Sequence, residues 1–329
     1  MAVGAACGQR IRPDRRHAME LIDLVLKAGR SAVELSLFVL LPIMVVMLCL
    51  MRLLEARGVM DWAVARLAPV LRPAGLTGLS VFAALQISFV SFAAPVATLA
   101  MMEGRGASDR HLAATLAMVF AMGQANVMFP MAALDLRLGL ALALSLAGGL
   151  LAAAATFYCF GRGLSTAEKP MDETLKHPVA EDGKGILDVI NRAGAEAFRI
   201  AVGVIPMLVL SLVAITFLRQ LGLFAWLTGL LAPLLAAASI DPAMIPLTLT
   251  KALAGGTAVL GLMNDMHRDG TANASLVNGS AGWLIHTLDV PGVAILISAG
   301  KRVARVCTPA VLGGCVGIAL RTAGHAALG

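Results

Sequence analysis

The chain has 329 residues, of which 59% are hydrophobic, 14% charged and 5% aromatic, with a formal net charge of +6; its mean hydropathy is +0.84. A soluble domain carries about 25% charged residues, so this composition excludes a water-soluble globule and predicts an integral, multi-pass membrane protein whose first partner is the lipid bilayer. The basic excess falls outside the apolar stretches and is not interleaved with aromatics, which makes it topology information and argues against a nucleic-acid partner.

Residues 1–18 hold four arginines and no apolar core, so they read as a disordered tail or an over-extended start, with Met19 as the alternative first residue. Residues 19–30 are amphipathic and predict an interfacial helix. A span follows over 32–54, interrupted by Pro42. Residues 59–72 set Asp61, Arg66 and Arg72 opposite Trp62, Val64, Leu67 and Val70, which predicts a second interfacial helix. The stretch 76–103 is apolar but broken by Gln86, Ser88, Ser91 and Pro95, and spans are expected at 111–134 and 138–160. A polar linker occupies 161–185. The order then returns: an interfacial helix at 185–195, a span at 197–218 around Pro206, a Trp226 helix at 223–235, a broken segment at 242–265, and spans at 275–299 and 303–323.

That return is written in the residues. Leu21-Ile22-Asp23-Leu24-Val25-Leu26-Lys27-Ala28-Gly29 reappears as Ile186-Leu187-Asp188-Val189-Ile190-Asn191-Arg192-Ala193-Gly194, an offset of 165. Pro42, Gly58, Trp62 and Ala68-Pro69 reappear as Pro206, Gly222, Trp226 and Ala232-Pro233, an offset of 164. The chain is one unit written twice, 19–160 and 186–325, an arrangement in which transporters place their sites between the copies. If the broken segments cross the membrane, each half has four spans and the repeats are parallel. If they enter and return as hairpins, each half has three and the repeats are inverted. With Lys251 left out because it lies inside a segment, the hairpin reading puts 15 basic residues inside against 10 outside, or 6 from a Met19 start, whereas the crossing reading gives 16 against 9, or 12 against 9 from Met19. The positive-inside rule therefore favours hairpins when the chain begins at Met19.

The order of elements resembles the nucleoside-recognition or Gate-domain superfamily: a proline-interrupted span, an interfacial helix ending Leu67-Ala68-Pro69-Val70-Leu71 or Leu231-Ala232-Pro233-Leu234-Leu235, then a small-residue hairpin. That group includes the spore-maturation A and B proteins, concentrative nucleoside transporters and the membrane domain of the ferrous-iron transporter. The first half resembles the A partner and the second the B partner, as if fused, with Pro246-Leu247-Thr248-Leu249-Thr250-Lys251-Ala252-Leu253-Ala254-Gly255-Gly256 similar to the B-type hairpin. The resemblance implies an all-α membrane fold of two inverted repeats, each with interfacial helices, a broken re-entrant hairpin and about three spans. It also implies hairpin tips that meet partly unwound spans. It carries over no nucleoside ligands, since no glutamate lies in either tip and only Gln86 loosely matches.

Lys251 is the sharpest candidate. It follows Asp241 by ten residues, about 15 Å along a helix and so near the middle of a hydrocarbon core about 30 Å thick. An ammonium there costs at least about 2.5 kcal/mol without a partner or a water-lined cavity. Asp265 and Asp289 are its candidate structural partners. With Gly255, Gly256 and Thr257 opening the second arm, Lys251 favours a negatively charged solute. Gln124 and Asn126 before Pro130, and His286, Thr287 and Asp289 before Pro291-Gly292, mark unwound helix or an ordinary proline kink. Asn278 and Ser280 lie near enough to join. Gln86, Ser88 and Ser91 are the first-half counterparts. The dispersed histidines predict no metal site, no nucleophilic constellation or phosphate loop predicts an enzyme, and no cofactor is called for, though a coupling ion such as sodium or a proton is compatible. The expectation is a transporter-like protein of the bacterial inner membrane, homo-oligomeric or not, moving a small polar or anionic solute. The alternative is a non-transporting scaffold or subunit of a larger complex.

Overall fold

The computed structural model describes residues 13–167, 185–237 and 240–329. Most of the expected tail and of the expected linker therefore lies outside the described residues. Everything described is helix or connection, with no strand among the described residues, and six helices there are long and apolar enough to cross a membrane. The chain is a polytopic helical membrane protein.

The first half begins with α1 (Pro13–Glu34) and α2 (Leu41–Ala56), joined without interruption. The expected interfacial helix and first span are thus one rod, and the same holds for α9 (Ile186–Gln220) in the second half. Between α1 and α2 the Leu41 N–H bonds back five residues to the Ser36 carbonyl, a wide turn that accommodates one extra residue in a helix. That residue is the reason the repeat offset falls from 165 to 164: Gly29 to Pro42 is one position longer than Gly194 to Pro206. The bulge keeps the apolar faces of the two copies in register.

The two rods are antiparallel. Ser36 Oγ donates to the Ala201 carbonyl at 2.5 Å and Cys49 Sγ to that of Ile190 at 3.7 Å, so these contacts run forward on one rod and backward on the other, and the long side chain of Arg52 reaches Glu196 at 2.9 Å between them. Ser36 and Ala201 are equivalent residues of the two copies, 165 apart, and mark the pseudo-twofold axis. Ala32, Ala193, Ala197 and Ala201 are fully buried, because small side chains let the backbones approach. The last helices of the halves repeat the pattern. In α8 (Leu138–Ala155) and α15 (Cys307–Leu328), Leu144 meets Gly324, Gly148 meets Gly317 and Thr156 meets Gly313, again in opposite directions. Equivalent helices running oppositely make the repeats inverted.

Helix α3 (Val59–Leu71) lies across the following α4 (Gly78–Phe89), the two axes bent by 104°. It buries Met60 and Val64 and leaves Trp62 outward, the placement of an interfacial helix. After a turn at 90–94, α5 (Pro95–Gly104) returns beside α4, with Thr98 Oγ1 donating to Gln86 Oε1 at 2.7 Å. Hence 76–103 is a hairpin and does not cross. Its counterpart follows α10 (Leu223–Ala237) and is α11 (Met244–Arg268), broken at Gly255, where φ is 81° and ψ 179°. This backbone region is essentially glycine's alone, and Gly255 is the repeat equivalent of Ser91 in the first tip.

Candidate functional site

Two spans are interrupted where they cross. Helix α6 (Asp109–Ala121) stops, residues 122–124 run extended, and α7 (Ala125–Met131) resumes. Likewise α12 (Ala274–Leu284) stops before residues 285–289, and α13 (Val290–Ile297) resumes; the short α14 (Lys301–Arg305) then leads into α15. A break frees carbonyls that lipid cannot satisfy. Here each break satisfies the other. Thr287 donates from Oγ1 to the Val119 carbonyl at 2.7 Å and from its N–H to that of Phe120 at 3.3 Å. Arg321 Nη1 reaches the Ala121 carbonyl at 2.6 Å. In return Gln124 Nε2 donates to the His286 carbonyl at 2.7 Å.

The second hairpin is fastened to this crossing through charge. Lys251 is 3% exposed; its Nζ donates to the same His286 carbonyl at 2.7 Å and forms an ion pair with Asp289. The other Asp289 oxygen accepts the Gly292 N–H at 2.7 Å, capping α13. Two tip glycines are required by this approach. A side chain at Gly255 would meet Pro291 and Asp289 at 3.1 and 3.3 Å, and one at Gly256 would meet Gln124 Nε2 at 2.5 Å. The first hairpin is fastened by neutral bonds. Asn126 accepts the Phe92 N–H at 3.3 Å with its Oδ1 and donates through Nδ2 to Thr257 Oγ1, also at 3.3 Å. One side chain thus links both tips.

Beside these contacts lies a cavity of about 120 Å³, lined by Phe92 of the first tip, Gly255, Gly256 and Thr257 of the second, Gln124, Thr287 and Asp289 of the breaks, and Gly203 and Leu208 of α9. Of the residues singled out in sequence, Gly255, Gly256, Thr257, Gln124, Thr287 and Asp289 line it, while Lys251 and Asn126 are bonded to its wall. His286 contributes its carbonyl; its ring Nδ1 accepts the Leu288 N–H at 3.1 Å. Gln86 is engaged by Thr98 within its own hairpin. Ser88 and Ser91 are buried near the first tip, with no hydrogen-bond partner for Ser91 Oγ among the described residues. Asn278 turns away to Asp135 and Arg137, at 2.8 Å each, and Ser280 bonds back to Val277 of its own helix. No group of His, Cys, Asp and Glu able to hold a metal occurs among the described residues.

Arg321 escaped the sequence reading. One of the ten basic residues that the hairpin reading counts outside, it is fully buried. The signal available was an arginine following a run of small apolar residues, the same signal that singled out Lys251.

Helical inverted repeats, paired hairpins and crossed, broken spans define a polytopic membrane protein of inverted-repeat architecture. No family model matches the chain. It is similar to solved structures of the concentrative nucleoside transporter CNTnw: an inward-facing substrate-bound state at a TM-score of 0.68, over 96% of this chain and 86% of that one, with 18% identity; and a substituted, outward-facing state at 0.67, over 96% and 88%, also with 18% identity. This likeness establishes the fold. In sequence, 73 residues are 40% identical to spore maturation protein B of Bacillus subtilis (strain 168), a match covering 22% of this chain and 40% of that protein.

Proposed function

We propose that the protein is a secondary carrier that moves a small polar solute through the bacterial inner membrane, binding it near the midplane between the two hairpin tips. The observation that carries this reading is Asn126 joining both tips beside a cavity walled by both helix breaks. Gln124, Thr257, Thr287 and Asp289 offer the solute donors and acceptors. The ammonium of Lys251, from which the sequence reading drew an anionic solute, is engaged by Asp289; the pair adds no net charge to the wall and favours a neutral polar molecule. Nucleosides and nucleobases are therefore the first compounds to test, ahead of small organic anions.

Proteoliposomes holding the full chain should accumulate at least one of these classes, and Asn126→Ala should slow that uptake by 10-fold or more with the thermal midpoint little changed. Absence of uptake for every class would remove the transport reading. The 40% identity to spore maturation protein B favours a second reading, that of a membrane scaffold. It predicts one stoichiometric partner on affinity purification, together with normal function in Asn126→Ala.

A further inference from the structure

Both oxygens that receive Lys251 Nζ come from the second break: the His286 carbonyl and the Asp289 carboxylate. A carbonyl released from its helix ladder beside an anionic oxygen is the chemistry that holds a hard cation in a membrane protein, and the His286 carbonyl, which accepts from Gln124 Nε2 with one lone pair, has a second lone pair for it. Here the cation is covalently part of the hairpin. The repeat equivalent of Lys251 is Ile87, fully buried and apolar, and the first tip is attached by the neutral bonds of Asn126 instead. One half of the molecule has neutral fastening and the other carries its own charge.

We propose that Lys251 is a tethered substitute for a dissolved monovalent cation. It closes the second hairpin onto the broken span without taking an ion from solution. Removing its side chain converts the same oxygens into a site for Na+ or a small alkylammonium. Asp289 supplies one negative charge, and Arg321, within electrostatic range of Lys251, adds positive charge without offering an oxygen. That balance selects a monovalent over a divalent ion. The inference rests on the carrier reading for its meaning, namely a cycle that needs no free cation at this tip. Its readout does not depend on uptake, so the two can fail separately.

The test is thermal unfolding of the purified full chain in detergent, in NaCl, KCl or methylammonium chloride against choline chloride at equal ionic strength. Trp283 is a local reporter, because its Nε1 donates to Thr248 Oγ1 at 2.9 Å, one turn before Lys251. The natural protein should show the same midpoint in every salt. Lys251→Ala should gain a saturable rise of roughly 3 °C at ten times the dissociation constant in Na+ or methylammonium, absent in choline. Asp289→Asn in the Lys251→Ala background should abolish it. Should Lys251→Ala purify only in Na+ or methylammonium, that dependence supports the proposal. A sodium-specific rise in the natural protein, or a Lys251→Ala protein that fares no better in Na+ or methylammonium than in choline, overturns it.

Discussion

Lys251 and Asp289 form a buried pair, and removing one member strands the other. Such a loss typically costs about 3–5 kcal/mol, whereas removing both partners is far milder. Asp289→Ala should therefore lower the thermal midpoint more than Lys251→Met/Asp289→Leu, in a cycle completed by Lys251→Met; strictly additive effects would contradict the pairing. Sequence reasoning reached this pair from depth alone, because a lysine ten residues inside an apolar segment must be compensated, and it named Asp289 as one of two partners. It could not choose between Asp265 and Asp289, since that choice depends on how α13 crosses the hairpin. Arg321 stayed hidden for a related reason. A charge near the end of an apolar run looks interfacial until the packing of α15 against α6 is known.

At the scale of elements, close backbone approach sets the limits. A methyl group at Gly148 would lie 2.5 Å from Arg321 Cγ and 2.7 Å from the Gly317 carbonyl, so Gly148→Ala should destabilise the α8–α15 contact by about 1–3 kcal/mol. Gly139→Ala, where a methyl group meets nothing within 4 Å, is its control. Equal midpoints for the two variants would show that the helices are not so closely packed. The proline and small-residue breaks were readable in sequence as interruptions. What they do was not: Thr287 serving α6 and Gln124 serving His286 are contacts between halves, 162 to 168 residues apart, and no local pattern specifies them. The one-residue change in repeat offset was equally visible, but only the backbone shows that a wide helical turn absorbs it.

For the molecule as a whole, the inverted arrangement was conditional when read from charges and becomes geometric in the antiparallel rods. The burial of Arg321 also removes one basic residue from the outer count, which strengthens the charge asymmetry on which the hairpin reading rested. In the proposed carrier, the two tips approach one cavity from opposite sides, and opening one at a time would expose it to alternate sides. Phe92 and Thr257, one on each tip, are both bonded to Asn126, and their closeness permits the most direct test. In a protein whose five cysteines are replaced, Phe92→Cys and Thr257→Cys together should be joined by a short bifunctional maleimide bearing a reducible link. Solute uptake should fall on cross-linking below that of either single-cysteine protein treated with the same reagent, and on reduction should recover to the level of those singly modified proteins. Uptake that continues at full rate with the tips joined would contradict hairpins that act as opposing gates.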